Sequence, residues 1–174
     1  MAETRKLAVG KINSYYYQTP RDSEDLDPEA AILKAINSAK KSIYFAVYSF
    51  TLGAIADAII AAKERGVTVI GVGDTQESAG RGSQIVRLAA NGVDVRLWGT
   101  SGSLMHDKVF VVDGDTKTAK VGLGSYNWSN SAEKSNVEVL LVSTGVQVSR
   151  GLAPALIQQI ETAYNSGTPV VIPA

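Results

Sequence analysis

The chain has 174 residues, 45% of them hydrophobic, which is enough for one domain with a sizeable core. Its 17 basic and 17 acidic side chains cancel, which argues against a uniformly basic nucleic-acid-binding surface but leaves room for a local basic groove. The absence of cysteine excludes disulfides, thiolate metal sites and a cysteine nucleophile. We predict a single domain over residues 1–174, with a tail from about residue 167.

The N-terminal stretch MAETRKLAVGKINSYYY lacks the apolar segment of a secretory signal. No run approaches the ~18 apolar residues that a membrane span needs. As written, the sequence predicts a soluble protein without stable membrane association. The compartment stays open, because a cytoplasmic protein and a periplasmic or secreted protein without its signal peptide would share these features.

The first hundred residues alternate predicted helices and strands. Asp27 and Pro28 are typical of a helix start, and the following strand is rich in β-branched and aromatic residues. The predicted elements are a helix over 27–41, a strand over 42–50, a helix over 53–66, a strand over 67–74, a helix over 83–92 and a strand over 93–99. This alternation predicts an α/β fold with a mixed, mainly parallel central sheet and helices on both faces.

The pattern changes after residue 100. Three apolar runs occupy 106–115, 117–125 and 135–143, and the short turn at Asp113-Gly114-Asp115 predicts a hairpin between the first two. A short helix is predicted over 129–134, and a last helix over roughly 148–164.

The single histidine, His106, is followed two residues later by Lys108. In a strand these side chains would share a face, about 7 Å apart along the strand, with Asp107 on the other face. An imidazole beside an ammonium suits a phosphate, because lysine neutralises the non-bridging oxygens while neutral imidazole attacks phosphorus or transfers a proton. The spacing alone also fits a solvent-exposed histidine at a strand mouth, with a lysine that reaches into solvent.

Two later segments add polar groups. Gly124, Ser125 and Asn127 lie where a strand leads into a short helix, an arrangement that presents N–H groups to an anion or forms an ordinary turn. Glu138 lies within an apolar run. Paired with the imidazole it would fix the ring's tautomer, whereas on an edge strand it would face water.

These motifs resemble those of the phospholipase D superfamily. His106, Lys108 and Asp113 match its HxKx4D pattern, while GSYNW and SNVEV resemble its GSxN segment and its glutamate-bearing strand. AVYSFT, AAKERGVTV and GDTQESAGRGS resemble the small bacterial nucleases of the superfamily, so the likeness covers roughly residues 28–164. One departure is the ten residues between Asp113 and Gly124, which predict a longer hairpin and bear on substrate access.

The resemblance implies a metal-independent phosphodiesterase without cofactors. Members carry two such motifs per active site, so the single motif here implies a homodimer whose two-fold axis brings two copies of His106 together. One His106 would attack phosphorus to give a phosphohistidine, and the other would protonate the leaving oxygen and then activate water.

The resemblance also implies roles for the other matched residues. Lys108 and Asn127 would hold the non-bridging oxygens, with Ser125 as a weaker candidate. Glu138 would orient His106. Asp113, the remaining member of the catalytic motif, would support the lysine or the hairpin rather than carry a proton.

Three further features are candidates for nucleic-acid contact. Tyr15–Tyr17 could stack on bases or pack in a strand, Arg81 could touch backbone phosphates or lie free in solvent, and Trp128 could line the groove or pack the short helix.

The leading hypothesis is a nuclease acting on DNA or RNA. The alternatives are a phospholipid-hydrolysing enzyme and a nucleic-acid-binding module with a silent site. The sequence does not decide between DNA and RNA, single and double strands, endo and exo cleavage, the product ends or the biological role.

Overall fold

The computed structural model describes residues 6–9, 12–20, 26–100 and 102–173, so the start of the chain, where we expected no signal segment, lies partly outside the described residues. The strands are β1 (Lys6–Val9), β2 (Ile12–Thr19), β3 (Ser42–Val47), β4 (Thr68–Asp74), β5 (Asp94–Thr100), β6 (Ser103–Leu104), β7 (Lys108–Val112), β8 (Lys120–Gly124), β9 (Glu138–Thr144) and β10 (Thr168–Pro169). The helices are α1 (Pro28–Asn37), α2 (Gly53–Glu64), α3 (Thr75–Ser78), α4 (Ile85–Ala90), α5 (Asn130–Lys134), α6 (Val146–Arg150) and α7 (Leu152–Ser166).

The described strands form one mixed sheet in the order β1-β2-β9-β8-β7-β3-β4-β5-β10, with β6 paired to β5. The α/β class with a mixed sheet is confirmed. The expected parallel character, however, is confined to β3, β4 and β5, and the other described pairs are antiparallel.

The connections explain this division. Helical crossovers, which parallel neighbours require, join β3 to β4 through α2 and β4 to β5 through α3 and α4. After β5 the chain passes to β7 beside β3 and returns through a hairpin to β8, so these strands run in the opposite sense. The predicted hairpin is thus observed, and its turn lies at the edge of the sheet opposite to the start of β7.

Element boundaries follow local chemistry. Asp27 caps α1 by accepting the Ala30 amide at 3.1 Å, with Pro28 in the first turn as predicted. The predicted last helix is two helices, because the chain leaves helical geometry at Gly151, a residue that weakens helices. The predicted tail contains β10, which pairs with β5.

Helices cover both faces of the sheet. On one face α1, α2 and α4 enclose a core that includes Phe45, Phe110 and Trp128. On the other face, α6 and α7 pack on alternate strand residues such as Val109 and Val111. Alternate side chains of β7 thus pack into the cores on the two faces of the sheet, as a strand buried on both faces requires. This packing fixes the position of β7, and with it the start of the strand next to His106.

Candidate active site

The ends of several neighbouring strands meet at one edge of the sheet. Val47 at the end of β3 pairs with Lys108 at the start of β7, and Gly124 at the end of β8 pairs with Leu140 near the start of β9. Because β7 and β9 run antiparallel to their neighbours, His106, Lys108, the GSYNW segment and Glu138 come to the same edge. The C-terminal end of β4 lies there as well, since β4 is parallel to β3.

His106 is exposed and lies two residues before β7, in a loop held on both sides. The Met105 amide before it donates to the Asp74 carboxylate at 3.0 Å, and the Asp107 carbonyl after it accepts the Tyr48 amide at 2.9 Å. The Gln159 side chain of α7 donates to the Asp107 carboxylate at 2.6 Å. These bonds fix the backbone of His106 although the residue lies outside a regular strand.

The Tyr48 ring packs against the imidazole, with the ring centroids 4.7 Å apart. Burial, together with the carboxylates of Glu77 and Asp74, raises the pKa of Tyr48. Asp74 is buried and accepts the Glu77 amide at 3.0 Å, so it also holds the helix that carries Glu77. The imidazole therefore lies against a ring that is close to two carboxylates.

Sequence reasoning gave no role to Tyr48, Asp74 or Glu77. Tyr48 belongs to the AVYSFT segment, and Asp74 ends the apolar run VTVIGVGD. The position of Asp74 at the end of an apolar strand could have identified it, because polar groups at the carboxyl ends of parallel strands commonly line binding or active sites.

Lys108 is 8% exposed, and its ammonium donates to the His106 carbonyl at 2.7 Å and lies 5.0 Å from the centre of the Tyr48 ring. Burial lowers the pKa of Lys108, and the nearby carboxylates of Glu138 and Asp107 oppose that effect. The lysine is thus a partly desolvated cation beside the histidine, as the spacing predicted, although β7 begins at Lys108 rather than at His106.

Glu138 does not bond the imidazole in the described structure. Its carboxylate accepts the Ser125 hydroxyl at 2.5 Å and the Asn136 side-chain amide at 3.0 Å. The topology gives the reason: β8 separates β9 from β7, so Glu138 and Lys108 begin strands about 10 Å apart. Ser125 follows β8 directly and is the nearer partner, and its hydroxyl also accepts the Val139 amide at 3.1 Å.

Gly124 permits this arrangement. A Cβ at residue 124 would lie 2.0 Å from the Val139 carbonyl oxygen, which is far inside contact distance. The close backbone approach that the sequence predicted at Gly124 is observed, and it brings Ser125 against β9.

Asn127 links the GSYNW segment to the end of β3. Its side-chain oxygen accepts the Ser49 amide at 3.2 Å, which leaves its NH₂ group as the part suited to an anion. The Trp128 carbonyl accepts the Thr51 and Leu52 amides at 2.7 and 3.0 Å. These hydrogen bonds join the residues that follow β3 to the GSYNW segment, which lies about 80 residues later in the sequence.

Asp113 is not part of this constellation. It follows β7 at the end opposite to Lys108, five residues or roughly 16 Å away along the strand. It is 2% exposed, and its carboxylate accepts the backbone amides of Lys40, Lys41 and Ser42. Asp113 fixes the α1–β3 connection and lies out of contact with Lys108, so of the two supporting roles expected for it, direct support of the lysine does not fit this position. The long β7–β8 turn lies at that same distant edge and does not approach His106.

The candidates for nucleic-acid contact lie in different environments in the structure. Trp128 is 1% exposed and packs against Phe45 and Phe50 at 5.3 and 5.0 Å between ring centroids, so it belongs to the core and is not available to a ligand. Arg81 is exposed in the turn after α3, which follows the C-terminal end of β4. Tyr15–Tyr17 lie within β2, where they pair with β9.

The described residues form neither a cluster of metal ligands nor a membrane-spanning helix. No group of three or more histidine, aspartate or glutamate side chains in that part of the chain is arranged to hold a metal ion. No helix there is long and apolar enough to cross a membrane.

Comparison with known proteins supports the motif assignment. Residues 32–165 match the model of a family described as cardiolipin synthase, PLD-like domain. A mitochondrial cardiolipin hydrolase from Xenopus tropicalis is 33% identical over 138 residues, which are 79% of this chain and 61% of that protein. This chain therefore spans less than two thirds of that relative.

Two solved structures agree with the fold at nearly full length. Nuc from Salmonella typhimurium, a phospholipase D family member, superposes with a TM-score of 0.78 at 31% identity, covering 90% of this chain and 97% of Nuc. NucT from Helicobacter pylori superposes with a TM-score of 0.73 at 27% identity, covering 88% of this chain and 98% of NucT. The family match, together with His106, Lys108 and Asn127 at one sheet edge, shows that this chain belongs to the phospholipase D superfamily.

Proposed function

We propose that this protein is a phosphodiesterase that hydrolyses nucleic-acid phosphodiester bonds through a phosphohistidine, in an active site shared across a homodimer. The observation that carries the proposal is the convergence of an exposed imidazole, a desolvated lysine and an asparagine amide at one sheet edge. A reactive nitrogen beside cation and amide donors suits a phosphodiester, whose charge the donors neutralise while the nitrogen attacks.

In the first step the His106 imidazole attacks phosphorus, so that a nitrogen–phosphorus bond forms as the bond to the leaving oxygen breaks. The leaving oxygen takes a proton from the partner subunit's His106. In the second step that imidazole, now neutral, removes a proton from water, and the water oxygen displaces His106 from phosphorus. Both histidines then return to their initial protonation states.

Lys108 and Asn127 would hold the non-bridging oxygens during both steps. Lys108 is buried against Tyr48 and hydrogen-bonded to the His106 carbonyl, so its charge lies at a fixed place beside the nucleophile. Fixed cations and amide donors stabilise the developing charge, a role that a metal ion fills in other phosphodiesterases, so the proposal requires no metal. Glu138 would position Ser125, to which it is hydrogen-bonded, and its negative charge would favour the protonated form of Lys108.

A nucleic-acid substrate is favoured over a lipid by the structural similarity to Nuc and NucT and by the upstream segments. The segments AVYSFT and GDTQESAGRGS resemble small bacterial nucleases, and Tyr48 of the first segment packs against the His106 ring.

The test is digestion of single- and double-stranded DNA and RNA in excess EDTA by wild type and by His106→Ala. Because His106 is exposed, its removal should leave folding intact, and we expect a loss of about 10⁴-fold or more, as when other enzymes lose a nucleophile. Lys108→Ala is assayed as well, and Lys117→Ala, at an exposed lysine in the distant β7–β8 turn, is its control. Equal cleavage by wild type and rigorously purified His106→Ala would refute the mechanism.

The second candidate is hydrolysis of a phospholipid, which the identity to a cardiolipin hydrolase favours. The same proteins are assayed on vesicles that contain cardiolipin. Lipid turnover that depends on His106, without cleavage of any nucleic acid, would replace the first proposal by the second. Binding of nucleic acid without turnover of either substrate would indicate a silent site.

The shared site predicts that specific activity falls on dilution below the dimer dissociation constant. Sedimentation at the assay concentration gives the oligomeric state. A monomer with full activity would contradict the two-histidine mechanism.

A further inference from the structure

A cavity of about 570 Å³ opens beside His106 on the side of α7. Its floor is the segment Leu104–Asp107, one wall is Trp98 at the end of β5, and the other wall is α7. The α7 wall consists of Ala155, Gln158, Gln159, Thr162, Ala163 and Ser166. The volume lies within the usual ~300–1,000 Å³ of small-molecule sites. None of the phosphate-holding residues lines this space.

The described lining combines Trp98 and polar side chains of α7 with apolar side chains such as Leu104 and Met105, and it includes no lysine or arginine. Among the described residues that line the cavity, Asp107 is the only ionisable group apart from the imidazole, and its carboxylate accepts the Gln159 side chain. A second phosphate would meet a carboxylate without a compensating charge. An acyl chain that covered Gln158 would leave its side-chain amide without a hydrogen-bond partner. A neutral, planar group with polar edges could pack against Trp98 and hydrogen-bond to the polar side chains of α7.

Trp98 supplies a face for such a group. Its indole N–H donates to the Ser166 hydroxyl at 3.0 Å, which ties the ring to the end of α7. Aromatic faces held in this way stack nucleobases irrespective of sequence, and amides across the cavity can bond base edges.

We infer that this cavity binds a nucleobase of the nucleotide that adjoins the scissile phosphate, with Trp98 as the stacking face and Gln158 at the base edge. The inference rests on the proposed nuclease function and extends it, because it makes cleavage depend on a base beside the reacting phosphate. His106 lines the same cavity, so a base within it places its own phosphodiester near the imidazole.

The test compares two oligonucleotides that contain one cleavable phosphodiester, the second with abasic residues on both sides of it. We expect wild type to cleave the first about tenfold more efficiently in kcat/KM, within the range for one stacked base. Ala155→Phe fills the cavity from an exposed helix position, and we expect that ratio to fall below about two. Asn165→Phe, an exposed position on α7 outside the cavity, is the matched control and should keep the full ratio.

A second readout does not need turnover. The chain has two tryptophans, and Trp128 is buried, so a fluorescence change on ligand addition reports on Trp98. In the His106→Ala protein the base-containing oligonucleotide should quench this signal, and the abasic one should not. Trp98→Leu should abolish the quenching and lower the cleavage ratio as Ala155→Phe does.

The outcomes separate the two proposals. Equal cleavage of both oligonucleotides by wild type would overturn the base site and leave the nuclease function standing. Absence of cleavage of either would overturn both. Loss of the dimer in Ala155→Phe would show that a second copy of the chain occupies the cavity, and would likewise overturn the base site.

Discussion

Asp113 provides a test of the structure, because the motif to which it belongs suggests a catalytic role, whereas its buried, hydrogen-bonded carboxylate indicates that it stabilises the fold. Its carboxylate is 2% exposed and accepts three backbone amides, at 3.0 and 3.1 Å from Lys40, 2.7 Å from Lys41 and 3.1 Å from Ser42. The residue has φ of 50°, in the left-handed region, which asparagine and aspartate tolerate better than alanine.

The cost of Asp113→Ala follows from these contacts. Three partly buried amides lose a charged acceptor, at about 1 kcal/mol each after allowance for solvent access to the turn. Alanine at this φ costs about 1 kcal/mol more, giving a total of about 4 kcal/mol. For a domain of this size, that destabilisation lowers Tm by roughly 8–16 °C. Asp113→Asn keeps one acceptor oxygen and the backbone preference, so we expect it to cost about 1–2 kcal/mol.

The assay is urea and thermal unfolding of both variants, with kcat measured well below each Tm. Asp115→Ala is the control, because this neighbour is exposed and its ion pair with Lys41 contributes at most about 1 kcal/mol. We expect kcat within about twofold of wild type for every variant while it is folded, since Asp113 lies roughly 16 Å along β7 from Lys108. A normally stable Asp113→Asn protein without activity would refute the structural assignment.

Three further predictions concern the site itself. Burial lowers the pKa of Lys108 below its ordinary 10.5, so activity should fall with rising pH below that value, and Lys108→Arg should remove this alkaline limb of the pH–rate profile. Between the lowered pKa of Lys108 in the folded protein and its ordinary pKa in the unfolded chain, the unfolded chain binds more protons at this lysine than the folded protein does. The free energy of unfolding contributed by Lys108 should therefore rise with pH over that range, as urea unfolding at each pH would show. Tyr48→Phe, which keeps the ring and loses the hydroxyl near Glu77, should lower kcat about threefold with little change in KM, and Tyr48→Leu, which also loses the ring, about tenfold or more; equal effects of both variants would contradict positioning by the ring. Gly124→Ala should destabilise by about 1–3 kcal/mol in urea unfolding, because its Cβ would clash with the Val139 carbonyl, and an unchanged midpoint would show that β9 shifts freely.

Much of the site was readable from the sequence, because its groups are local in the chain. His106 and Lys108 are two residues apart, and Gly124, Ser125 and Asn127 lie within four. Strand periodicity and turn chemistry act over such distances, so they predicted the β7–β8 hairpin, the close approach at Gly124 and the start of α1 at Asp27. The α/β class followed from the same local patterns.

Tertiary structure decided what depends on which strands become neighbours. The insertion of β8 between β7 and β9 directs Glu138 to Ser125 instead of the imidazole. The pairing of β3 with β7 brings Tyr48, 58 residues before His106 in the sequence, against its ring. The folded sheet buries Trp128 in the core and brings the Asp113 carboxylate to the backbone amides of the α1–β3 connection. A local pattern cannot contain these contacts, because the free energy of each depends on groups that only the folded sheet brings together.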